Sequence, residues 1–320
     1  MPILLLLFLA AATADNTYTR NPRKRDAEPQ FGFGGFGGSG GFLGGMVKKI
    51  GDVADRPFES IGFLGSKNDF SKTSANHAII FLHGLGPKIQ GPLCKMMAGP
   101  MLGLKNCEVR CPLARSQSVG ILPPTMIPGF NAATGGQIRS WFNFWLMPIM
   151  SIVAPNGGES KEQLDEALKI VDREIEDLHN NNGIPLENIV LSGASQGGVM
   201  TLYYALHGRY KLGGMIPIVT WLPLLQPEPP SSLKRPVNWN TPILHLNGIM
   251  DPIVPVPCAI ATKRAMEPVF TNYQLKLAIG THVSTMGPHN IPFVKCWMKE
   301  NTNIKFRFTL PCSLAGLTIG

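Results

Sequence analysis

The 320-residue chain lacks the features that mark several large classes of protein. Its N-terminal apolar run, residues 3–12, is too short to cross a bilayer. None of its six cysteines has Cys-x-x-Cys spacing, so we expect no zinc site. Its lysines and arginines are scattered and no groove-binding motif accompanies them, so the net charge of +8 does not indicate a nucleic-acid partner. With 44% hydrophobic residues, the chain can still bury a sizeable core.

The first 72 residues are predicted to precede the folded domain. Residues 1–14 are apolar and end in small side chains, which is typical of a secretory signal peptide cleaved near Ala14. The start carries no positive charge, which leaves a hydrophobic anchor as the alternative. Residues 15–72 form a leader and linker, because a Gly/Phe-rich tract of this kind loses too much backbone entropy to order alone. The basic cluster at 20–25 is either a processing site or a solvated charge run. We therefore expect secretion; without a signal peptide the protein is cytoplasmic.

The cysteine count bears on the same question. Six cysteines behind a signal peptide permit three disulfides, with 15 connectivities. Cys107 and Cys111 lie four residues apart on a predicted strand, too far to bridge each other. We therefore expect these two in different bridges if the protein is exported, and reduced cysteines if it is cytosolic.

Six segments have the apolar pattern of strands: residues 77–83, 107–111, 187–192, 214–220, 242–247 and 273–279. Helix-length connections separate them. One helix is predicted after Ser160, whose spacing to Gln163 resembles a capping box, and it ends before Gly183. The pattern predicts an α/β domain over residues 73–302, with a mostly parallel sheet and helices on both faces, and a C-terminal tail over 303–320.

A glycine-rich turn joins the third predicted strand to a helix. Gly193-Ala-Ser-Gln-Gly197 would expose Ser195 at a sharp strand-to-helix turn, as a nucleophile requires. A Cβ at Gly193 or Gly197 would clash with the neighbouring strand and helix. The backbone N–H of Gln196, in the first helical turn, would point to the position of a developing oxyanion. Without an acid and a base in the right order, this would be only a Gly-rich turn.

An acid and a base follow in the order used by sheet-based serine hydrolases. Asp251 comes after the strand at 242–247, and His282 directly follows the strand at 273–279. We expect His282 to accept the serine proton and Asp251 to hold the tautomer of its ring. His289 is a second candidate base, but His282 lies nearer the end of its strand.

A second oxyanion donor is expected after the first strand. There His83-Gly-Leu-Gly86 provides two glycines that let the backbone turn, so that the N–H of Leu85 can reach the same spot as that of Gln196. His83 precedes a tight turn, and we interpret it as an orienting or structural residue.

Taken together, these segments resemble the acyl-protein thioesterase, or phospholipase/carboxylesterase, family of α/β-hydrolases. The matching segments occur in the order of that family and are Phe81-Leu-His-Gly-Leu-Gly86, Ser140-Trp-Phe142, Gly183-Ile-Pro185, Gly193-Ala-Ser-Gln-Gly-Gly198, Thr220-Trp-Leu-Pro-Leu224 and Asp251-Pro-Ile-Val-Pro255. The resemblance implies the α/β-hydrolase fold and a catalytic triad of Ser195, Asp251 and His282. It also implies an oxyanion hole formed by the amides of Leu85 and Gln196, with no cofactor or metal.

Three segments depart from the family. Residues 87–92 replace an Asp-Thr-Gly-like run, Asn247 stands where the family has His, and Gly280-Thr-His282 replaces Gly-Met-x-His. Residues 120–129 and 141–150 are rich in apolar groups, and we interpret them as the wall of an acyl-chain pocket or, alternatively, as core. The candidate substrate contacts are Trp141, Phe142, Trp221 and Leu222.

The sequence thus predicts a serine hydrolase that cleaves acyl esters or thioesters through an acyl-Ser195 intermediate. A carboxylesterase, a lysophospholipase and a palmitoyl-protein thioesterase all fit; export favours a lysophospholipid or carboxylic ester, and a cytoplasmic protein favours depalmitoylation. The positive charge would add a weak attraction to anionic membranes. The alternative is a catalytically impaired secreted protein that binds lipids or other ligands and retains the fold.

Overall fold

The computed structural model describes residues 75–86, 102–117, 119, 138–144, 158–224, 235–307 and 311–312. The predicted signal peptide, the leader and linker, and the apolar stretch at 120–129 lie outside these residues. No helix within the described ranges is both long and apolar enough to span a membrane.

The core of the domain is a six-stranded sheet in which every pairing is parallel. Its strands are β1 (His77–Leu82), β2 (Cys107–Arg110), β5 (Ile189–Ala194), β6 (Gly214–Ile218), β7 (Ile243–Gly248) and β8 (Tyr273–Ala278). A separate antiparallel ribbon pairs β3 (Ser116–Gln117) with β4 (Ile138–Arg139). The predicted α/β-hydrolase architecture is confirmed.

The strand order, β2-β1-β5-β6-β7-β8, locates the site. From β1 the chain moves outward to β2, and it later returns to the other side of β1 as β5. The chain therefore leaves the carboxyl ends of β1 and β5 toward opposite edges of the sheet, and such a switch in strand order is where open α/β sheets place their sites. The loops after β1 and β5 carry Leu85 and Ser195.

Helices cover both faces of the sheet. The α-helices of the described residues are α1 (Lys161–Glu176), α2 (Gln196–His207), α3 (Val256–Met266) and α4 (Ile291–Asn301). Neighbouring strand residues alternate between two buried clusters, so Ile80 packs with α1 and α2 while Ile79 packs with α4. This alternation buries both faces of the central strands β1, β5, β6 and β7, which explains why these four strands read as nearly continuous apolar runs.

Two details differ from expectation. The Ser160 hydroxyl caps α1 by accepting from the N–H of Gln163, but the Gln163 side chain accepts from the N–H of Asn143, so the capping box is not reciprocal. The expectation that Cys107 lies in a bridge is wrong: its thiol is free, and burial raises its pKa to about 12. Cys111 is disulfide-bonded, and a second disulfide joins Cys296 to Cys312.

Candidate active site

Ser195 lies at a strained turn between β5 and α2. Its backbone has φ 53° and ψ −119°, a conformation that a residue with a Cβ rarely adopts. Hydrogen bonds from both sides of the turn hold it there. The Ser195 N–H donates to Ile218 O at 2.9 Å, and the Thr220 hydroxyl donates to Ser195 O at 2.9 Å. The turn therefore directs the serine side chain away from the edge of the sheet, where it is half-buried rather than part of the core.

The flanking glycines are required because backbone lies directly against them. An added Cβ at Gly193 would come within 2.3 Å of Gly197 O, and one at Gly197 within 2.1 Å of Leu82 O. Real Cβ atoms do not approach oxygen this closely, so a side chain at Gly193 would push α2 away from β5, and one at Gly197 would push α2 away from β1. Gly84 lies against the serine itself, since its added Cβ would be 3.3 Å from Ser195 Cβ. The loop after β1 and the turn after β5 therefore meet at Ser195.

Asp251 and His282 are in direct contact. The carboxylate is almost fully buried, and its Oδ2 lies 2.8 Å from His282 Nδ1. The N–H groups of Ile253 and Val254 donate to its other oxygen at 2.8 and 2.9 Å. Three donors thus fix the carboxylate, which in turn fixes the tautomer of His282 with a proton on Nδ1 and Nε2 left as an acceptor.

The loops that carry this pair are packed together. Met250 N donates to Gly280 O at 3.1 Å, and a Cβ added at Gly248 would lie 2.3 Å from the Thr285 hydroxyl. Beyond His282 the chain folds back over the sheet. This is shown by an apolar cavity that both Met286 and Ser192 of β5 line. Within the described residues, Ser195 Oγ takes part in no hydrogen bond, so the acid is joined to the base but the base is not joined to the serine.

The alternative base lies elsewhere. His289 is exposed, and its Nε2 donates to Ile279 O at 2.9 Å. Asp251 contacts His282 instead. The contact with Asp251 supports His282 as the base, and this assignment stays a prediction.

The two candidate oxyanion donors are the backbone N–H groups of Leu85 and Gln196. Gln196 is the first residue of α2, where a helical N–H has no acceptor within its own helix. In the described part of the chain, neither N–H donates to a protein acceptor. Two free donors thus flank Ser195, one on each loop.

His83 is a structural residue in this arrangement. It is 3% exposed; its Nδ1 donates to Gly84 O at 2.6 Å and its Nε2 accepts from Ala114 N at 3.0 Å. Burial lowers its pKa to about 4, so the ring is neutral at physiological pH. In a trans peptide the C=O and N–H point in opposite directions. By holding Gly84 O, His83 therefore also sets the direction of the Leu85 N–H.

A sequence model of the phospholipase/carboxylesterase family matches residues 70–288, which is more than half of the chain. The chain belongs to this family. Acyl-protein thioesterase 1 of Kluyveromyces lactis is 31% identical over 213 residues, covering 66% of this chain and 86% of that protein. Acyl-protein thioesterase 1 of Saccharomyces cerevisiae is 29% identical over 231 residues, covering 71% and 93% respectively.

Solved structures support the fold of this phospholipase/carboxylesterase family member. Arabidopsis thaliana SOBER1 superposes with a TM-score of 0.55 at 24% identity, covering 71% of this chain and 99% of that chain. Acyl-protein thioesterase 2 of Zea mays gives 0.54 at 22% identity, covering 72% and 95%. The chain is thus a serine hydrolase of the kind that acts on esters or thioesters, and the non-catalytic alternative is not favoured.

The four predicted substrate contacts lie in the core of this family member. Trp141, Phe142, Trp221 and Leu222 are each less than 10% exposed and belong to one buried cluster. Their packing accounts for their position without a ligand. Substrate contact by these side chains stays a prediction.

Sequence reasoning missed Glu159. This buried carboxylate accepts from the indole N–H of Trp221 at 2.8 Å and from the N–H of Leu224 at 3.1 Å. Burial raises its pKa to about 7. It ties the Thr220-Trp-Leu-Pro-Leu224 segment beside the serine turn to the entry of α1. A lone glutamate next to glycines gives no sign in the sequence that it will be buried.

One cluster has the composition of a metal site. Ligand atoms of Cys296, Glu300 and Cys312 lie within 4.8 Å of one another. The two sulfurs are bonded to each other in a disulfide, so neither is a thiolate able to bind a cation.

Proposed function

We propose that this chain hydrolyses acyl esters or thioesters with Ser195 as nucleophile, His282 as general base and Asp251 as the acid that orients the base. The observation that carries the proposal is the contact between His282 Nδ1 and the buried carboxylate of Asp251, because it leaves Nε2 as the proton acceptor. Ser195 stands at the strained turn that exposes nucleophiles in sheet-based hydrolases.

The reaction runs in two half-reactions. Ser195 Oγ attacks the acyl carbonyl carbon as its proton passes to His282 Nε2, and the carbonyl oxygen becomes an oxyanion. The N–H groups of Leu85 and Gln196 stabilise that charge. When the tetrahedral adduct collapses, the alcohol or thiol leaves with the proton from His282, and water then repeats the sequence on the acyl-serine. Catalytic hydrogen bonds commonly shorten when substrate binds, so we expect the Ser195–His282 bond to form in the complex.

Ser195→Ala tests the nucleophile. We expect p-nitrophenyl ester hydrolysis to fall by several orders of magnitude, to the residual that binding and the oxyanion hole supply, and labelling by a fluorophosphonate probe to disappear. His282→Ala should lose several orders of magnitude in turnover, whereas the matched variant His289→Ala should lose little. Equal turnover in Ser195→Ala and the wild type would overturn the nucleophile assignment, and a reversed histidine ranking would move the base to His289.

We further propose that the protein is exported and acts on lipid esters such as lysophospholipids. The disulfide-bonded state of Cys111 and the Cys296–Cys312 bridge support this proposal, since structural disulfides form in oxidising compartments. The apolar residues 1–14 supply the signal. N-terminal sequencing of protein secreted by a eukaryotic host should begin near residue 15. An intact Met1 in cell-associated protein would argue instead for acyl-protein substrates.

Exposed apolar side chains around the acid and base loops support substrate uptake from a lipid surface. Ile249, Met250 and Ile253 are 50%, 56% and 43% exposed, and Val283 beside His282 is 66% exposed. Such side chains at the mouth of a site mark an interaction surface. Val283→Ser combined with Met250→Ser should weaken binding to phosphatidylcholine vesicles without changing hydrolysis of a soluble butyrate ester. Unchanged vesicle binding would refute this use of the surface.

A further inference from the structure

The two candidate oxyanion donors belong to different loops, yet one short segment contacts both. The segment is residues 139–142, which we call the spacer; it begins at the end of β4 and runs behind the serine turn. The loop after β1 and the first turn of α2 each form hydrogen bonds to it, so the relative position of the two donors depends on the spacer.

On the side of Leu85, the spacer forms two hydrogen bonds to backbone. Gly86 N donates to Arg139 O at 3.2 Å, and the indole N–H of Trp141 donates to His83 O at 2.8 Å. These contacts are one residue and two residues away from Leu85. The Trp141 ring also lies 5.0 Å from the His83 ring, so the indole packs against the residue that orients the Gly84–Leu85 peptide.

On the side of α2, the contact is the side chain of Gln196. This amide is 1% exposed and uses both of its ends. Its Nε2 donates to Ser140 Oγ at 2.8 Å and Phe142 O at 2.6 Å, and its Oε1 accepts from Trp141 N at 2.9 Å. The same residue therefore supplies a free backbone N–H beside Ser195 and a side chain that is fixed to the spacer.

This arrangement has a consequence for catalysis. An oxyanion hole works because its donors are held at hydrogen-bond distance from the charge before the charge develops. A shift of about 1 Å in one donor costs a large part of that stabilisation. Packing alone does not explain why a buried glutamine satisfies all of these groups at this position, because an apolar side chain of similar volume would fill the space without a polar network.

We propose that residues 139–142 set the distance between the Leu85 and Gln196 N–H groups, with Trp141 and the Gln196 side chain as positioning residues. The inference rests on the proposed function, since it assumes that these N–H groups receive the oxyanion of an acyl-Ser195 reaction. Neither side chain needs to touch substrate for this role.

The test compares Trp141→Phe, which keeps one aromatic ring but loses the indole N–H and the second ring, with Gln196→Met, which keeps length and loses the amide. We expect each to lower kcat for a soluble p-nitrophenyl ester by roughly 10- to 100-fold, with KM changed by less than about threefold. Affinity for a trifluoromethyl ketone, which forms a tetrahedral adduct with the serine, should fall by the same factor as kcat/KM. The double variant should lose less than the product of the two single losses, because both act on one spacer.

Tyr204→Phe is the matched control. Tyr204 is a fully buried hydrogen-bonding residue on α2 whose hydroxyl contacts Asp172 and Tyr210 N. Its replacement by Phe should leave kcat unchanged. If Gln196→Met does not fold, Ser140→Ala removes one partner of the same amide and replaces it in the test. Unchanged kcat in the folded variants, or a rise in KM alone, would overturn the proposed role of the spacer. Loss of the underlying function would be seen separately, as a wild-type protein that neither hydrolyses esters nor depends on Ser195.

Discussion

Glu159 makes the stability of the domain depend on pH in a predictable direction. Burial raises its pKa to about 7 from an ordinary value of 4.5, despite hydrogen bonds from Trp221 and Leu224 that favour the charged form. Between pH 4.5 and 7 the folded protein therefore holds a proton that the unfolded chain has released. Stability from this group is complete below pH 4.5 and is lost as the pH rises through 7. The difference of about 2.5 between the pKa in the folded protein and the pKa in the unfolded chain corresponds to about 3 kcal/mol in the free energy of unfolding.

Glu159→Gln isolates this contribution. The amide stays neutral at every pH, so the variant should not show the loss of stability that the wild type shows as the pH rises through 7. At low pH it should be less stable than the wild type by about 1–3 kcal/mol, because its NH₂ group would face either the Trp221 or the Leu224 N–H. The gap should then shrink by about 3 kcal/mol, or change sign, between pH 4.5 and 7.5.

The assay is urea unfolding followed by tryptophan fluorescence at four pH values over that interval. Buried histidines such as His83 and His245, whose pKa values burial lowers to about 4, also change stability in this range. They contribute equally to both proteins, so the difference between wild type and variant removes them. A difference that is constant with pH, or one that grows as the pH rises, would refute the reasoning.

Two further predictions concern backbone approach and thiols. Gly197→Ala should destabilise the domain by about 3 kcal/mol or more in chemical unfolding, because its Cβ would meet Leu82 O at 2.1 Å; Gly183→Ala, at φ +70° in open space, should cost only about 1 kcal/mol, and equal costs would contradict the clash. Alkylation of unreduced, unfolded protein should label Cys107 and Cys258, which are free, and spare the bridged Cys296. Labelling of Cys296 in freshly secreted protein would contradict the Cys296–Cys312 bridge.

The central strands β1, β5, β6 and β7 could be predicted because they are buried on both faces and therefore read as apolar runs between turn residues. The half-exposed edge strand β8 could be predicted from its alternation of apolar and polar residues. Gly193 and Gly197 could also be predicted from local sequence, because a turn this tight leaves no space for a Cβ. The order of Ser195, Asp251 and His282 along the chain reflects the order of the strand ends that carry them. The structure adds the Asp251–His282 contact, which a chain order cannot supply.

The contacts that the sequence did not indicate are those between distant segments. Gln196 and Trp141 are 55 residues apart, and the apolar side chains of Trp141 and Phe142 predict a substrate contact rather than hydrogen bonds of this kind. In the structure the Ser140-Trp-Phe142 segment forms hydrogen bonds to Gln196 and His83. The partner of Gln163 was also misassigned, because a side chain in a capping position can bond to any nearby backbone, here Asn143. Such choices depend on tertiary packing.

The strained backbone of Ser195 separates folding from activity at this one position. A φ of 53° with ψ of −119° suits glycine, which has no Cβ to clash, better than any other residue. A change of Ser195 to Gly would therefore relax the turn while removing the nucleophile, so the inactive chain should be at least as stable as the active one. Selection for a well-folded domain alone would not retain the serine. A requirement for turnover, rather than for stability, would therefore keep serine at position 195.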